Sequence, residues 1–342
     1  MNIALIDPLQ LHEQLPEVID PLQLEQVAGV VICAFNRRGN LLAGGSADGA
    51  VCVWDFETRG VARRWAEHRA LITALSWTRS SRRLLSASLD GVLFLTDVLL
   101  GTPTHTVDLA VELSHAALHP RRRTLCLACT AGAPGVPAGV YLQHLEPASR
   151  QLLVAADESA DDGAKGEGVK EGAKRGASAS ACFDATGEQV LVGTARGAIM
   201  LVSLTGQTLA TMQAGTSAVK SISLARSGRH FLLNSADRVV RAYPIGRLTD
   251  ESTSGRSFQD LVNRVQWSHA AYSSDSEHVI GAVSSGTEQT LYVWDLSHGH
   301  LSKMLTGPKD GAVHFVCHPT RPILAVRAHA PDGARTVSAR RR

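Results

Sequence analysis

The stretch Leu41-Leu-Ala-Gly-Gly-Ser-Ala-Asp-Gly-Ala-Val-Cys-Val-Trp-Asp55 decides the fold. It consists of a strand of small residues, an Asp-Gly turn and an alternating strand that ends in Trp-Asp. The same form recurs at residues 84–97, 231–243 and 278–295, and more weakly at 124–145 and 189–204. Self-similarity at a nearly fixed period indicates a fold built from equivalent units.

Each copy has a further short strand before it and another after it. For the first copy these strands are Val31–Phe35 and Gly60–Trp65. Four strands in roughly 40–45 residues match the blade of a WD40 propeller. Copies begin near residues 30, 70, 111, 177, 219, 265 and 312. We therefore predict an all-β fold, a seven-bladed WD40 β-propeller.

The propeller is predicted to occupy residues 30–338, with a basic tail at 339–342. Residues 157–178 are rich in Gly, Ala, Lys and Glu, so they predict a flexible insertion between the third and fourth blades. The seventh copy lacks an outer strand of its own. Because an open edge exposes unpaired backbone groups, we expect the N-terminal segment, residues 1–29, to close the last blade with a strand near Asn2–Ile6.

The composition excludes several classes of protein. The chain has 342 residues, 44% of them hydrophobic and 19% charged, with a net charge of +2. This balance gives no global reason to expect a polyanionic partner. No apolar run reaches the roughly 18 residues of a membrane span, and the N-terminus lacks a signal-peptide pattern. Six dispersed cysteines suit a reducing compartment. We expect a soluble intracellular protein without a membrane partner.

One set of side chains has spacings typical of zinc ligands: His115, His119, Cys126 and Cys129. The repeat argues against a metal site. Two residues three positions apart on a strand point to opposite faces, and His119 occupies the same turn position as His318. We therefore expect buried structural cysteines and no bound metal.

No motif in the sequence indicates catalysis or a cofactor. The chain contains neither a phosphate-binding P-loop nor a Gly-x-Ser-x-Gly nucleophile motif. His68, Asp90 and either Ser86 or Ser88 lie where a WD40 blade builds a buried hydrogen-bond relay to a tryptophan. That tryptophan is replaced by Thr96, so the relay is expected to be incomplete. We predict a protein that is not an enzyme and has no small-molecule substrate.

The tryptophans and aspartates of the repeats are interpreted as structural anchors. A tryptophan at a blade position fills the core, and an aspartate in a turn accepts hydrogen bonds from its own loop. The predicted anchors are Trp54, Asp55, Trp294, Asp295, Asp48, Asp90 and Asp237.

Basic residues recur on one predicted face of the propeller. In a blade, the turn between strands two and three and the link to the next blade emerge at the same end. Arg238, Arg264 and Lys309 occupy such positions in successive late blades. They predict an arc of cations that faces phosphate groups, the alternative being scattered solvated charge. The run Arg121–Arg123 lies on the opposite face and is interpreted as a solvated loop.

Several blocks of the sequence are distinctive: Phe35–Gly39 with Trp54–Gly60, Ile222–Tyr243, Gln259–Arg264, Leu291–Trp294 and His318–Ile323. They resemble the retinoblastoma-binding protein 5 family, the WD40 subunit of COMPASS-type histone H3 lysine-4 methyltransferase complexes. The resemblance extends from Met1 to about Val326. It implies a non-catalytic scaffold in the nucleus. The implied partners are a SET-domain methyltransferase, a second WD40 subunit, a SPRY-domain subunit and nucleosomal DNA.

The resemblance also implies a role for the arc of cations. Family cations that contact nucleosomal DNA match Arg238, Arg264 and Lys309, whereas a fourth family position matches Thr287 and has lost its charge. Family members carry a tail behind the propeller with acidic and hydrophobic segments that bind other subunits. The present sequence ends at Arg342, so either it is truncated or the protein binds through its propeller alone.

Two other functions compete with this interpretation. One is a WD40 substrate receptor of a cullin-type ubiquitin ligase, a class that usually carries Trp-Asp-x-Arg or Trp-Asp-x-Lys. Neither Trp54–Glu57 nor Trp294–Ser297 has that basic residue. The other is a propeller hydrolase or metal enzyme that uses His115 and His119, and it predicts a stoichiometric metal ion.

Overall fold

The computed structural model describes residues 21–24, 27, 29–156, 180–248, 255–285, 288–306, 314–321, 323–329 and 335–341. Its strands form four-stranded antiparallel sheets, seven among the described residues. Six of these sheets each contain four consecutive strands joined in hairpin order. No helix in the described part of the chain is long and apolar enough to cross a membrane.

The strands of the first three sheets follow the sequence repeats. Sheet 1 contains β2 (Val30–Phe35), β3 (Leu41–Ser46), β4 (Ala50–Asp55) and β5 (Val61–Ala66). Sheet 2 contains β6 (Ile72–Trp77), β7 (Arg83–Ser88), β8 (Val92–Asp97) and β9 (Thr102–Asp108). Sheet 3 contains β10 (Leu113–Leu118), β11 (Leu125–Thr130), β12 (Gly139–Leu145) and β13 (Ala148–Ala155).

The next three sheets repeat this arrangement. Sheet 4 contains β14 (Ser180–Phe183), β15 (Gln189–Gly193), β16 (Ala198–Ser203) and β17 (Thr208–Gln213). Sheet 5 contains β18 (Val219–Leu224), β19 (His230–Ser235), β20 (Val240–Pro244) and β21 (Arg256–Phe258). Sheet 6 contains β22 (Trp267–Tyr272), β23 (His278–Ser285), β24 (Glu288–Asp295) and β25 (Leu301–Thr306).

Burial of the strands shows how the sheets stack. Every residue of β11, a second strand, is buried, whereas the fourth strands β5 and β17 are largely exposed. The core consists of apolar clusters between neighbouring sheets, such as that of Leu85, Leu113 and Cys126 between sheets 2 and 3. A second strand is therefore covered on both faces, which explains its nearly continuous apolar sequence.

The first strands contact one another around a central axis. β2 contacts β6, β6 contacts β10, and the series continues through β14, β18 and β22 to β26 (Phe315–Cys317), which contacts β2. The fold is an all-β WD40 β-propeller, and the prediction of that architecture from the repeats is confirmed.

The sheet at the junction of the ring, sheet 7, joins distant parts of the chain. It contains β26, β27 (Ile323–His329), β28 (Arg335–Arg341) and, at its edge, β1 (Pro21–Gln23). Pro21 lies opposite Arg340, and Gln23 lies opposite Ser338.

The predicted closing strand and the predicted basic tail both differ from the structure. The segment paired with β28 is β1, whereas Asn2–Ile6 lie outside the described residues, as does the predicted insertion at 157–178. Residues 339–341, predicted as part of a tail, belong to β28. Their arginine-rich sequence has no apolar alternation, the only local signal of a strand.

His318 links sheet 7 to sheet 1. Its Nε2 donates to the carbonyl oxygen of Gly39 at 3.0 Å, and its Nδ1 accepts the backbone N–H groups of Thr320 and Arg321 at 3.1 and 3.0 Å. The ring also packs edge-on against Phe35, with centroids 5.0 Å apart. This set of bonds requires a neutral imidazole that carries its proton on Nε2.

His119 forms the same bonds between sheets 3 and 4. Its Nε2 donates to the carbonyl oxygen of Gly187 at 2.9 Å, and its Nδ1 accepts the N–H groups of Arg121 and Arg122. Burial is the main cause that lowers the pKa of both His119 and His318 below the usual 6.5. The fold therefore uses both imidazoles in the uncharged form.

Acidification should destabilise the propeller through these histidines. Because folding lowers the pKa of both histidines, the folded state binds fewer protons than the unfolded chain at mildly acidic pH. The contribution of the neutral histidines to the free energy of unfolding is complete above about pH 6.5 and is lost as the pH falls toward their folded-state pKa. We expect the melting temperature to drop between about pH 7.5 and about pH 5. His318→Gln should melt lower at neutral pH but show a smaller drop, measured by calorimetry. The exposed His300→Gln is the control, and an unchanged pH dependence in His318→Gln would contradict the assignment.

Candidate nucleic-acid interface

The two Trp-Asp pairs lie at equivalent places in sheets 1 and 6. Trp54 is fully buried and Trp294 is 3% exposed. Asp55 Oδ1 accepts the N–H groups of the residues two and three positions further on, at 2.9 and 3.2 Å. Asp295 Oδ1 does the same at 2.5 and 3.2 Å. Each tryptophan thus packs in the core while its aspartate shapes the following turn.

Three further aspartates cap the turns between second and third strands. In Asp48, Asp90 and Asp237, Oδ1 accepts the N–H group two residues further on, at 3.1, 3.0 and 3.1 Å. Asp237 also accepts a hydrogen bond from Arg241 at 2.5 Å. The carboxylates are engaged within their own turns.

The relay in sheet 2 stops before its last member. His68 Nδ1 lies 3.1 Å from Asp90 Oδ2, and its Nε2 lies 2.9 Å from Ser86 Oγ. Thr96 is fully buried, and its hydroxyl has no hydrogen-bond partner among the described residues. The histidine therefore joins a turn to a strand. The Thr96 hydroxyl, at the position of the usual tryptophan, takes no part in the relay.

The side chains with zinc-like spacing do not converge. Cys126 packs in the cluster between sheets 2 and 3, whereas Cys129 packs between sheets 3 and 4. Burial raises the pKa of both thiols to about 12, which disfavours the thiolate form that binds metals. His115 pairs across the sheet with Cys129, and both nitrogens of His119 are used in its turn.

The structure brings two of the three predicted cations together. Arg238 lies in the turn between β19 and β20, and Arg264 lies in the link from β21 to β22. Both side chains are exposed. Trp267 Nε1 donates to the carbonyl oxygen of Arg238 at 2.8 Å, which ties that turn to the strand following Arg264. Lys309 lies outside the described residues.

A further arginine lies on the same face. Arg196 is in the turn between β15 and β16, the place in sheet 4 that corresponds to Arg238 in sheet 5. It is exposed, and its carbonyl oxygen accepts a hydrogen bond from Gln213 at 2.8 Å. Arg196 is not among the predicted cations because its repeat copy is weak, although matching Thr194–Gly197 to the corresponding turns of the other copies would have identified it.

Comparisons with known proteins agree with the propeller fold. The WD40 family model (WD domain, G-beta repeat) matches residues 26–55 and 61–97. The β-propeller domain of Cps50 (Swd1) from Myceliophteria thermophila, a crystal structure, superposes with a TM-score of 0.79 at 27% identity and covers 94% of this chain and 99% of that one. The retinoblastoma-binding protein 5 homolog of Drosophila melanogaster is 32% identical over 95% of this chain. Over nearly its whole length, the chain is similar to this member of the retinoblastoma-binding protein 5 family.

The sequence similarity extends over the propeller. Part of each relative's length has no counterpart in this chain. The chain spans 63% of the length of the Drosophila relative. It is 28% identical to the Set1 complex component swd1 of Schizosaccharomyces pombe, over 95% of this chain and 79% of that protein.

The block Gln259–Arg264, which resembles the retinoblastoma-binding protein 5 family, forms a tight turn. Asp260 Oδ1 accepts the N–H groups of Val262 and Asn263, both at 2.9 Å, and Oδ2 accepts the Tyr292 hydroxyl at 2.9 Å. These bonds, led by those from Asn263, lower the pKa of Asp260 to about 2. The turn therefore holds Arg264 next to the exposed residues 261–263. The Asp260 carboxylate is engaged in its own hydrogen bonds and is not available to pair with the Arg264 guanidinium group.

One group of side chains among the described residues has the spacing of a metal site. Asp295, His298 and His300 place one ligand atom each within 4.8 Å of one another. Two imidazoles and a carboxylate suit a divalent transition metal. Both histidines are exposed, and His298 Nδ1 is hydrogen-bonded to Asp295 at 2.9 Å. Asp295 was predicted only as a structural anchor.

Replacement of Thr96 should show that its hydroxyl is unpaired. Thr96→Val keeps the shape of the side chain and removes a buried hydroxyl without a partner, so the free energy of unfolding should rise by about 1 kcal/mol. The matched control is Thr78→Val, because Thr78 Oγ1 both donates to and accepts from the backbone of Arg83 at 2.9 and 3.1 Å. That variant should lose about 1–2 kcal/mol. Urea unfolding measures both changes, and destabilisation by Thr96→Val would show that the hydroxyl has a partner.

Proposed function

We propose that this chain is a non-catalytic WD40 scaffold subunit of a histone H3 lysine-4 methyltransferase complex of the COMPASS type. Its place of action is the nucleus. The proposal rests on its similarity to the retinoblastoma-binding protein 5 homolog of Drosophila melanogaster and to a Set1 complex component. Its partners are a SET-domain methyltransferase, a second WD40 subunit and a SPRY-domain subunit.

The propeller supplies docking surfaces to this assembly. In the proposal, sheet 7 is the seventh blade, completed by the N-terminal strand β1; the antiparallel pairing of β1 with β28 supports this. The chemistry-bearing side chains described above, such as His68 and Asp90, are held in turns and between strands. Such an arrangement favours a scaffold that has no reactive centre.

Nucleosome docking is assigned to the phosphate arc, defined as Arg238, Arg264 and Lys309. The observation that carries the assignment is the hydrogen bond from Trp267 to the carbonyl oxygen of Arg238, which brings the turn of Arg238 next to the link that contains Arg264. Both arginine side chains are exposed. Neither forms an ion pair with an acidic residue in the described part of the chain. The backbone φ angles of +68° and +48° hold both arginines in tight turns. Exposed cations on a constrained backbone, without an acidic partner among the described residues, suit the phosphodiester backbone, which is recognised by charge and position.

Charge reversal should show whether the phosphate arc, rather than the rest of the surface, determines the affinity for nucleosomes. The double variant Arg238→Glu/Arg264→Glu should bind nucleosomes at least about tenfold more weakly, and the slope of log K against log salt should become shallower by about 0.9 for each phosphate that is no longer neutralised. Fluorescence anisotropy over a salt series measures both quantities. The control is Arg63→Glu/Arg64→Glu on the exposed strand β5.

The scaffold role is tested separately from DNA binding. Affinity purification of the double variant should still recover the SET-domain methyltransferase, since the arc is not assigned to protein partners. If nucleosome affinity and its salt slope match those of the unchanged protein, the arc assignment is wrong. If the unchanged protein recovers no methyltransferase, the scaffold assignment is wrong.

A further inference from the structure

A second concentration of arginines lies on the face opposite the phosphate arc. In an antiparallel sheet of hairpins, the turn between the first and second strands emerges at the other end from the turn between the second and third. These first turns carry exposed arginines in four adjacent sheets, 7, 1, 2 and 3. The residues, named here the arginine crescent, are Arg321, Arg37, Arg38, Arg79, Arg121, Arg122 and Arg123.

Acidic turns mark both ends of the crescent. The first turn of sheet 4 carries Asp184 and Glu188, and that of sheet 6 carries Asp275 and Glu277. Beyond these acidic turns, the first turn of sheet 5 again carries two exposed arginines, Arg226 and Arg229. The continuous run of basic first turns therefore covers four neighbouring blades, and the acidic turns of sheets 4 and 6 bound it. A chain with a net charge of only +2 has separated its charges here into a defined basic patch.

The crescent arginines lack acidic partners within the described residues. Two other arginines do form ion pairs, Arg82 with Asp97 at 2.8 Å and Arg241 with Asp237 at 2.5 Å. Seven exposed guanidinium groups on one face repel one another, and binding of a polyanion relieves that repulsion. The patch thus has the electrostatics expected of a surface that binds a polyanion.

The turns of sheets 2 and 3 enclose a cleft of about 230 Å³. Arg79 lines one wall, and Arg121 and Arg123 line the other. The second wall is rigid because the backbone N–H group of Arg121 is held by His119 Nδ1 at 3.0 Å. The first is rigid because Thr78 Oγ1 bonds the backbone of its own turn. Three arginines line this small cleft, and the guanidinium group is the side chain best suited to bind phosphate with two hydrogen bonds.

A second cavity continues the basic surface toward the axis. It has a volume of about 390 Å³ and opens between the first turns of sheets 1, 5, 6 and 7. Arg37 of the crescent and Arg226 of sheet 5 line it. Basic side chains therefore reach from the mouth of the central channel to the cleft between sheets 2 and 3.

We propose that the arginine crescent binds the phosphodiester backbone of duplex DNA. A single strand would need aromatic side chains for base stacking, and no tryptophan, tyrosine or phenylalanine among the described residues is exposed. An acidic peptide would need apolar anchors, and the first turns of the crescent have no large exposed apolar side chain. A surface that offers charge without stacking or apolar anchors fits a duplex contacted along its backbone.

The consequence is a propeller with a DNA-binding surface on each face. The proposal does not depend on the phosphate arc, because the two surfaces use different residues at opposite ends of the sheets. If both act, one molecule bridges two duplex segments. If the arc fails its own test, the crescent remains testable with free DNA and without any partner protein.

The test uses the full chain and a short labelled DNA duplex. In the Arg238→Glu/Arg264→Glu background, Arg121→Gln/Arg122→Gln/Arg123→Gln should weaken the remaining binding by at least about tenfold and lower the salt slope by about 0.9 for each phosphate released from an arginine. The matched control, Arg63→Gln/Arg64→Gln/Arg150→Gln, removes the same charge from exposed outer strands and should change the affinity little. Equal losses of affinity in the two triple variants, or no loss in the first, would overturn the proposal.

Chemical footprinting gives a second measurement on the unchanged sequence. Phenylglyoxal modifies exposed arginines, and duplex DNA should protect Arg79, Arg121 and Arg123 while leaving Arg64 reactive, as read by peptide mass spectrometry. Competition with poly-glutamate and with a single strand of equal charge identifies the occupant. Tighter binding of poly-glutamate would assign the crescent to an acidic peptide, and tighter binding of the single strand would assign it to unpaired nucleic acid. Either result contradicts the proposal.

Discussion

Each sheet of this protein is buried only by its two neighbours, so the whole core depends on the contact that joins the last sheet to the first. That contact is made by β26 against β2 and by the bond from His318 Nε2 to the carbonyl oxygen of Gly39. Gly39 has a φ of +80°, and a Cβ there would lie 2.1 Å from the His318 ring. A side chain at that position would force the two sheets apart.

The same geometry accounts for the placement of charge. Burial between sheets leaves little room for polar groups except at the ends of the strands, where aspartates such as Asp48 and Asp260 satisfy turn N–H groups. Cations in those turns, such as Arg238 on one face and Arg121 on the other, point into solvent on a rigid backbone. The propeller therefore presents charge on both faces while its interior stays apolar, as the proposed scaffold role requires.

Sequence reasoning succeeded where the signal is local. The repeat 41–55 became β3 and β4, because an Asp-Gly turn and period-two alternation are read within a few residues. It did not locate β1 within the N-terminal segment or find the full extent of β28, because the pairing of edge strands from distant segments gives no signal in the local sequence. Arg238 and Arg264 could be placed on one face from the repeat register, but the cleft lined by Arg79 and Arg121 arises only when turns of separate sheets are brought together.

The bond between His318 and Gly39 joins residues 279 positions apart, and this separation has a kinetic meaning. Closing a long loop costs entropy that short hairpins do not incur. Sheets 1 to 6, each made of consecutive strands, can therefore form early from local contacts. Sheet 7 is completed only when its N-terminal strand β1 meets the C-terminal strands β26, β27 and β28. High contact order at a single junction makes it the slowest part of the ring to assemble.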